Sequence, residues 1–146
     1  MKKFIVASVA VLTLISTSAF AGHKDFNPAE NTFQDQFKGA TDVKWQEGKE
    51  TIKASFALNG FHVEAYFSYT GELIGTARNV LFSQLPLAVV TEINARYGSA
   101  PVYDIIEYNS NSETFYQMTV ELPTKKLRIS ATSGGDISVV KKTKTK

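Results

Sequence analysis

The sequence contains no cysteine and only two histidines, and these shortages exclude several kinds of chemistry. Without cysteine the chain can form no disulfide and has no thiol nucleophile. The two histidines, His23 and His62, lie far apart, and neither has a second histidine or carboxylates at the helical spacing of a zinc site. We therefore expect no metal and no cofactor, and a fold stabilised by its apolar core.

The motifs of the common catalytic sites are also missing. The chain has no G-x-S-x-G, no H-E-x-x-H, no phosphate-binding loop and no dinucleotide fingerprint. Ser83 stands just before Gln84-Leu85-Pro86, which favours a residue at a helix start over a nucleophile. The sequence therefore predicts that the protein is not an enzyme.

Only one long, mostly apolar run occurs, and it lies near the N-terminus. It follows two lysines, covers residues 4–15 and precedes Ala19-Phe20-Ala21, which fits the cleavage pattern of a signal peptide. The run is shorter than the roughly 20 residues that span a bilayer, which argues against the alternative of a membrane anchor. We expect a signal peptide at residues 1–21 and a periplasmic or secreted chain of residues 22–146, with no stable membrane insertion after cleavage.

Excess positive charge disappears with the predicted signal peptide. Residues 22–146 carry 14 basic and 14 acidic side chains, and four of these lysines lie in the tail 141–146. The body without that tail is therefore acidic. A broad basic surface of the kind that binds nucleic acid is absent, so we expect no nucleic-acid partner. From its lysine and threonine composition we expect the tail to be frayed and solvated.

Hydrophobic periodicity predicts two helices, each followed by strands. The first helix begins at the capping sequence of residues 27–30 and presents Phe33 and Phe37 on one face. The second opens at Pro86, a position that proline tolerates, and stops at Gly98. We expect five aromatic residues to lie in the core, because they occupy helix-facing positions: Phe33, Phe37, Trp45, Phe56 and Phe67.

The pair Asn59-Gly60 predicts a tight hairpin, because both central residues of a type I′ turn need positive φ. Alternation of apolar and polar residues in both strands indicates one buried and one solvated face. On the predicted buried face Leu58 pairs with Phe61, Phe56 with Val63, Ala54 with Ala65 and Ile52 with Phe67. On the solvated face Ala57 pairs with His62, Ser55 with Glu64 and Lys53 with Tyr66.

The helix-then-strands pattern occurs twice, at an offset of 60 residues that becomes 64 beyond a longer turn. Phe33 falls on Ile93, for example, and Phe56 on Val120. This predicts an α+β fold made by tandem duplication of a helix plus a four-stranded antiparallel sheet, with repeats at about 27–80 and 83–140 in one domain. The alternative is that such patterns recur by chance in α+β proteins.

Several stretches resemble the PepSY-like, beta-lactamase-inhibitor-protein-like (BLIP-like) family of exported bacterial proteins. They are FKGATDVKW, IKASFALNGFHVEAYFSYTGELIG, SQLPLAVVTEINARYGSAPVYDIIEY and GGDISVVKK, and the resemblance covers residues 33–142. It implies helices packed on one face of a curved sheet, and a periplasmic or cell-surface location in a Gram-negative bacterium. It also implies binding or inhibition of peptidases and related enzymes, but no catalytic residues.

The solvated side of the predicted sheet is the candidate functional surface. It combines aromatic and charged side chains, as protein-binding patches do, although exposed aromatics are also common in ordinary strands. His62 and Glu64 are neighbours on one open strand, which favours a solvated face over an acid–base pair. The candidate partner-binding residues are Lys53, His62, Glu64, Tyr66, Phe115, Gln117 and Arg128.

Three hypotheses follow. The first is an exported, non-enzymatic module that binds a protein or peptide partner in the cell envelope, such as a peptidase, on this face. The second is a binder of a small molecule or envelope component, which would need an apolar cavity between helix and sheet near Trp45 and Tyr97. The third is an enzyme with titratable groups around His62.

Overall fold

A computed structural model describes residues 27–110 and 113–145 of the chain. The predicted signal peptide, His23 and Lys146 lie outside these ranges, as does the side chain of the predicted capping residue Asn27. The elements in chain order are α1 (Asn27–Gln36), β1 (Thr41–Glu47), β2 (Ile52–Leu58), β3 (Phe61–Phe67), β4 (Leu73–Asn79), a 3-10 turn (Phe82–Gln84), α2 (Leu87–Tyr97), β5 (Val102–Ser110), β6 (Glu113–Leu122), β7 (Lys125–Thr132) and β8 (Ile137–Lys144).

All eight strands form a single antiparallel sheet in which they lie side by side in chain order. Strands make up 54% of the structure and helices 20%, so the molecule is mostly β with two short helices. The predicted α+β fold, a tandem duplication of a helix plus a four-stranded sheet, is therefore wrong. The finding that overturns it is the pairing of β4 with β5, from Gly75 opposite Ser110 to Asn79 opposite Ile106, which makes the strands one sheet.

The predicted β2–β3 hairpin is confirmed in every residue pair. Leu58 lies opposite Phe61 and Ile52 opposite Phe67, with no shift between them. Asn59 and Gly60 take φ values of 50° and 81°, as a type I′ turn requires. The turn therefore fixes which side chains of both strands share a face.

The helix-facing side of the sheet carries the apolar residues of that alternation. Phe56 and Phe67 of the hairpin are almost completely buried and pack with Phe33 of α1, whose ring lies 4.9 Å from that of Phe56. Phe37 and Trp45 are only partly buried at the margin of the same cluster. All five aromatics predicted to be core thus belong to one cluster beneath α1.

A second hydrophobic cluster lies beneath α2. Val89 and Ile93 of the helix are buried against Met118 of β6 and Ile129 of β7. The helix starts directly after Pro86, whose missing N–H is no loss at a helix start, and ends at Gly98, which has a φ of 60°. Both ends agree with the sequence prediction.

The C-terminal lysines differ from their predicted frayed state. β8 continues through Lys144, which pairs with Lys125 of β7, so residues 141–144 belong to an edge strand. Lysines on an edge strand discourage pairing with the edge of another chain, and this is a structural role for the lysines of β8. No helix within residues 27–110 and 113–145 is long and apolar enough to cross a bilayer.

Candidate functional site

The side of the sheet opposite the helices, here called the outer face, carries all seven candidate residues. Residues directly opposite in an antiparallel pair share a face, so the faces can be followed from strand to strand. Ser55 lies opposite Glu64, Glu64 opposite Ala77, Ala77 opposite Tyr108 and Tyr108 opposite Phe115. The same alternation places Lys53, His62, Tyr66, Gln117 and Arg128 on this side.

Glu64 is the centre of a hydrogen-bonded group on β2 and β3. Lys53 Nζ donates to Glu64 Oε1 at 2.9 Å, and Tyr66 Oη donates to Glu64 Oε2 at 2.8 Å. The side chains of Lys53 and Glu64 are 28% and 30% exposed, so the ion pair is only partly screened by water. The structure therefore brings three of the seven candidates into direct contact.

This contact changes the acidity of two of its members. Partial burial raises the pKa of Glu64, but the hydrogen bonds from Lys53 and Tyr66, and attraction to Lys53 and His62, bring that pKa below its ordinary value. Burial and the hydrogen bond to the Glu64 carboxylate raise the pKa of Tyr66 to about 12. At neutral pH, Glu64 is therefore ionised and Tyr66 keeps its proton, so neither is poised to exchange a proton.

His62 lies exposed at the end of the same row, beside Glu64 but not within a catalytic cluster. Within residues 27–110 and 113–145, no three His, Cys, Asp or Glu side chains are grouped so that they could hold a metal ion. The geometry around it is that of a surface side chain.

A hollow of about 210 Å³ opens in the middle of the outer face, above β4. Its floor is Ala77, which is 5% exposed and too short to fill the space between the taller side chains of β3 and β5. Glu64 and His62 stand on the β3 side, and Tyr108 and Ile106 stand on the β5 side. The small residue on β4 thus leaves a recess between β3 and β5.

Next to the hollow, two aromatic rings stack across β5 and β6. The rings of Tyr108 and Phe115 have centroids 4.9 Å apart and an interplanar angle of 11°. Both residues are partly exposed, and Gln117 lies beside them, opposite Ile106. Offset stacking of this kind holds the two rings in one position, so they form a rigid, partly apolar surface.

At the far side of the outer face, the Arg128 side chain is hydrogen-bonded to the backbone and to a neighbouring strand. Its Nη1 donates to the carbonyl oxygen of Asp104 at 2.9 Å and to Thr119 Oγ1 at 3.3 Å. Asp104 has a φ of 51° in a bulge that interrupts the β5–β6 register between Tyr103 and Ile106. Arg128 therefore stabilises the bulge in addition to lying on the outer face.

The two regions predicted for a small-molecule pocket do have hollows. One of about 270 Å³ is lined by Phe33 and Trp45 beside α1, and one of about 500 Å³ is lined by Tyr97, Pro101 and Leu122. Both are open at the surface. They are recesses at the margins of the two hydrophobic clusters.

Sequence reasoning omitted four residues that line the central hollow: Ala77, Arg78, Asn79 and Ile106. Alternation within β4 and β5 could have assigned each of them to a face. Their approach to Glu64 depends on the β4–β5 register, which no tight turn fixes because α2 lies between the two strands. Finding them would therefore have required knowing that β4 pairs with β5, which are distant in the sequence.

Comparison with solved structures shows that the chain has a BLIP-like fold. A BLIP-like protein from Bacteroides fragilis superposes with a TM-score of 0.67 at 21% sequence identity, covering 81% of this chain and 84% of that chain. The PepSY-like part of the resemblance is not confirmed. No protein-family model matches the sequence, and a search of curated proteins gives no significant match.

Two further structures from the same genus are similar over most of their length. A DUF2874 family protein from Bacteroides ovatus has a TM-score of 0.71 at 20% identity, covering 84% of this chain and 89% of that chain. A predicted periplasmic protein from Bacteroides eggerthii has a TM-score of 0.70 at 18% identity, covering 81% and 87%. At these identities the likeness concerns the fold.

Proposed function

We propose that the protein is an exported, non-enzymatic binding module that holds a protein partner on its outer face. The observation that carries this proposal is the stacked pair Tyr108–Phe115 beside the Glu64 hydrogen-bonded group. The partner class that the sequence resemblance implies is a peptidase or a related enzyme of the cell envelope. The candidate contacts are those named from the sequence, together with Tyr108.

The physical argument rests on composition and rigidity. Aromatic residues are enriched at protein interfaces and carry much of the binding free energy, whereas charged groups at the rim give specificity. Tyr108 and Phe115 stand on central strands of the sheet, so their side chains are already ordered before a partner arrives. Binding through them costs little conformational entropy.

The properties of the titratable groups argue against the enzyme hypothesis. A general acid or base works best when its pKa lies near the working pH. The pKa of Glu64 is lowered and that of Tyr66 is raised to about 12, so both move away from neutrality. These shifts are what a stable salt bridge and hydrogen bond produce, and they suit a recognition surface.

Two observations support a location in the periplasm or outside the cell. The N-terminal segment has the composition of a signal peptide, and the similar structure from Bacteroides eggerthii is a predicted periplasmic protein. A partner would therefore be met in the envelope or the medium.

The test is capture of an exported partner by immobilised protein that comprises residues 22–146. The variants Phe115→Ala and Lys53→Glu alter the outer face. As controls, Leu87→Ala truncates an exposed apolar side chain on α2, and Lys49→Glu reverses the charge of a lysine in the β1–β2 turn. We expect each outer-face variant to reduce retention about tenfold or more, as loss of a contact worth about 1.4 kcal/mol does.

Circular dichroism of all four variants checks that the fold is intact. Equal retention by outer-face and control variants would remove the outer face from the proposal. A loss of retention in Tyr97→Ala, with Phe115→Ala unaffected, would instead favour the hollow of about 500 Å³ that Tyr97 lines and the second hypothesis.

A further inference from the structure

The hollow above β4 has the size of one side chain. Its volume of about 210 Å³ lies below the roughly 300–1,000 Å³ of pockets that enclose small-molecule ligands. It is open towards the solvent on the outer face, where a partner would approach. A single residue that projects from a protein surface can enter it.

The two sides of the hollow differ in chemistry. On the β5 side, Ile106 and the ring of Tyr108 offer apolar and aromatic surface, and Ala77 gives an apolar floor. On the β3 side, Glu64 presents a carboxylate. A long side chain with an aliphatic stem and a cationic end would match both sides, because the stem can pack on apolar surface while the charge reaches the carboxylate.

Glu64 has room for another donor. An ionised carboxylate offers about four acceptor positions. Lys53 and Tyr66 each donate one hydrogen bond, and they bind different oxygens. Glu64 can therefore accept further hydrogen bonds from the side of the hollow without losing either partner.

The two cations near the hollow, Lys53 and Arg78, are already paired with carboxylates. Lys53 stands on β2, across β3 from the hollow, and bonds to Glu64. Arg78 of β4 lines the hollow, but its side chain bonds to Glu107 and lies over the ring of Phe61, so its charge is balanced by the Glu107 carboxylate. An entering cation would thus meet the Glu64 carboxylate and the Tyr108 ring, both of which attract positive charge.

We propose that this hollow receives a basic side chain, lysine or arginine, that projects from the protein partner. This inference rests on the proposed function and adds the chemistry of one contact.

The experiment uses isotope-labelled protein of residues 22–146 and four probes: the N-acetyl methylamides of arginine, lysine, leucine and glutamate, at matched ionic strength. Backbone amide shifts are followed by NMR during titration into the millimolar range. We expect saturable shifts at residues 62–64, 77–79 and 106–108 with the arginine or lysine probe, and affinities about tenfold weaker or worse with the leucine and glutamate probes.

Two variants separate charge from space. Glu64→Gln keeps the shape but removes the negative charge, and Ala77→Leu keeps the charge but fills the hollow. Each should weaken binding of the basic probes about tenfold or more, whereas Glu50→Gln in the β1–β2 turn should leave it unchanged. The spectra of the variants report directly whether each is folded.

The inference is overturned if the basic probes give no saturable shifts at the hollow, if the leucine probe binds as well, or if Glu64→Gln binds like the unaltered protein. These outcomes are distinct from failure of the proposed function. A partner could still be captured through Tyr108 and Phe115 while the hollow receives no basic side chain, and that result would reject this inference alone.

Discussion

The side chains of the outer face differ in how much they contribute to the stability of the fold. Arg128 reaches sideways to the Asp104 carbonyl, so its removal would disturb the backbone of β5. Lys53, Glu64 and Tyr66 bond chiefly to one another. Phe115 and Tyr108 stack without a polar bond between them. A substitution on this face therefore reports on binding, on stability or on both, according to which residue is changed.

Glu64 gives a prediction about stability and pH. Its pKa is lowered in the folded protein from an ordinary value of 4.5, so the unfolded chain binds more protons between the two values. The stabilisation is complete above about pH 4.5 and is lost as the pH falls through the folded-state pKa. Glu64→Gln should lower the free energy of unfolding by about 1 kcal/mol at pH 7, and the difference should close in acid.

Urea unfolding of both proteins between pH 7 and pH 3 measures that difference. Glu50→Gln, which changes an exposed carboxylate in the β1–β2 turn, is the control, and its stability should follow the unaltered protein throughout. A constant difference between Glu64→Gln and the unaltered protein across the whole range would show that packing, not charge, causes the loss.

Arg128 gives a second prediction at this scale. Arg128→Met keeps the length of the side chain but removes the donor to the Asp104 carbonyl, which should cost about 1 kcal/mol. Amide hydrogen exchange should accelerate at residues 103–106, around the bulge, more than in β2 and β3. Lys125→Met, at an exposed position on the same strand, should change neither quantity. Uniform acceleration throughout the sheet would mean that Arg128 has no special link to the bulge.

At the scale of elements, the position of α1 depends on a close contact with the β3–β4 turn. Gly71 in that turn has a φ of 88°, and a Cβ built on it would lie 2.6 Å from the backbone of Pro28. The hydrogen bond from the Gly71 N–H to the Ser68 carbonyl oxygen closes the turn. Only glycine satisfies both the backbone angle and the approach of the helix.

A pair of glycine substitutions can separate these two requirements. Gly71→Ala and Gly60→Ala both place a side chain at a similar positive φ, but a Cβ at Gly60 would meet nothing within 4 Å. Gly60→Ala should therefore cost only about 1–2 kcal/mol for the backbone angle. Gly71→Ala should cost about 1–3 kcal/mol more, because α1 must shift. Thermal unfolding measures both, and equal losses would mean that the helix moves without cost.

Elements with local signals were predictable, and those set by distant partners were not. The β2–β3 register follows from Asn59-Gly60, and the α2 boundaries follow from Pro86 and Gly98. The bulges at Asp42 and Asp104, which both have positive φ, carry no local signal because aspartate is not confined to such angles. β8 continues through the lysine tail because β7 offers it a partner.

At the scale of the whole molecule, the error in the predicted fold class has the same origin. Periodicity tells which face of each strand is buried, but not which strand edges meet. β4 and β5 are joined through α2, so their pairing is non-local. The candidate site was affected in the same way: the sequence assigned Glu64 and Phe115 to one side of the sheet, but their approach across Ala77 depends on that pairing.

The β4–β5 pairing also joins the two hydrophobic clusters, and an ion pair reinforces it. Arg78 Nε donates to Glu107 Oε1 at 2.7 Å, and the two residues are directly opposite. Arg78→Glu would place like charges opposite each other and should cost about 1–2 kcal/mol. The double variant Arg78→Glu/Glu107→Arg should recover most of that loss, because the pair is restored with its charges exchanged.

Two spectroscopic probes can test whether the eight-stranded sheet unfolds as one cooperative unit. Fluorescence of Trp45, the only tryptophan in the sequence, reports on the cluster beneath α1, and far-UV circular dichroism reports on all strands. Because the β4–β5 pairing links both clusters, the urea transitions from the two probes should coincide in the unaltered protein and shift together in Arg78→Glu. Glu92→Gln, which removes one charge of an exposed pair on α2, should shift both by less than about 0.5 kcal/mol. Separate transitions in the unaltered protein would show that the eight strands form one sheet but not one cooperative unit.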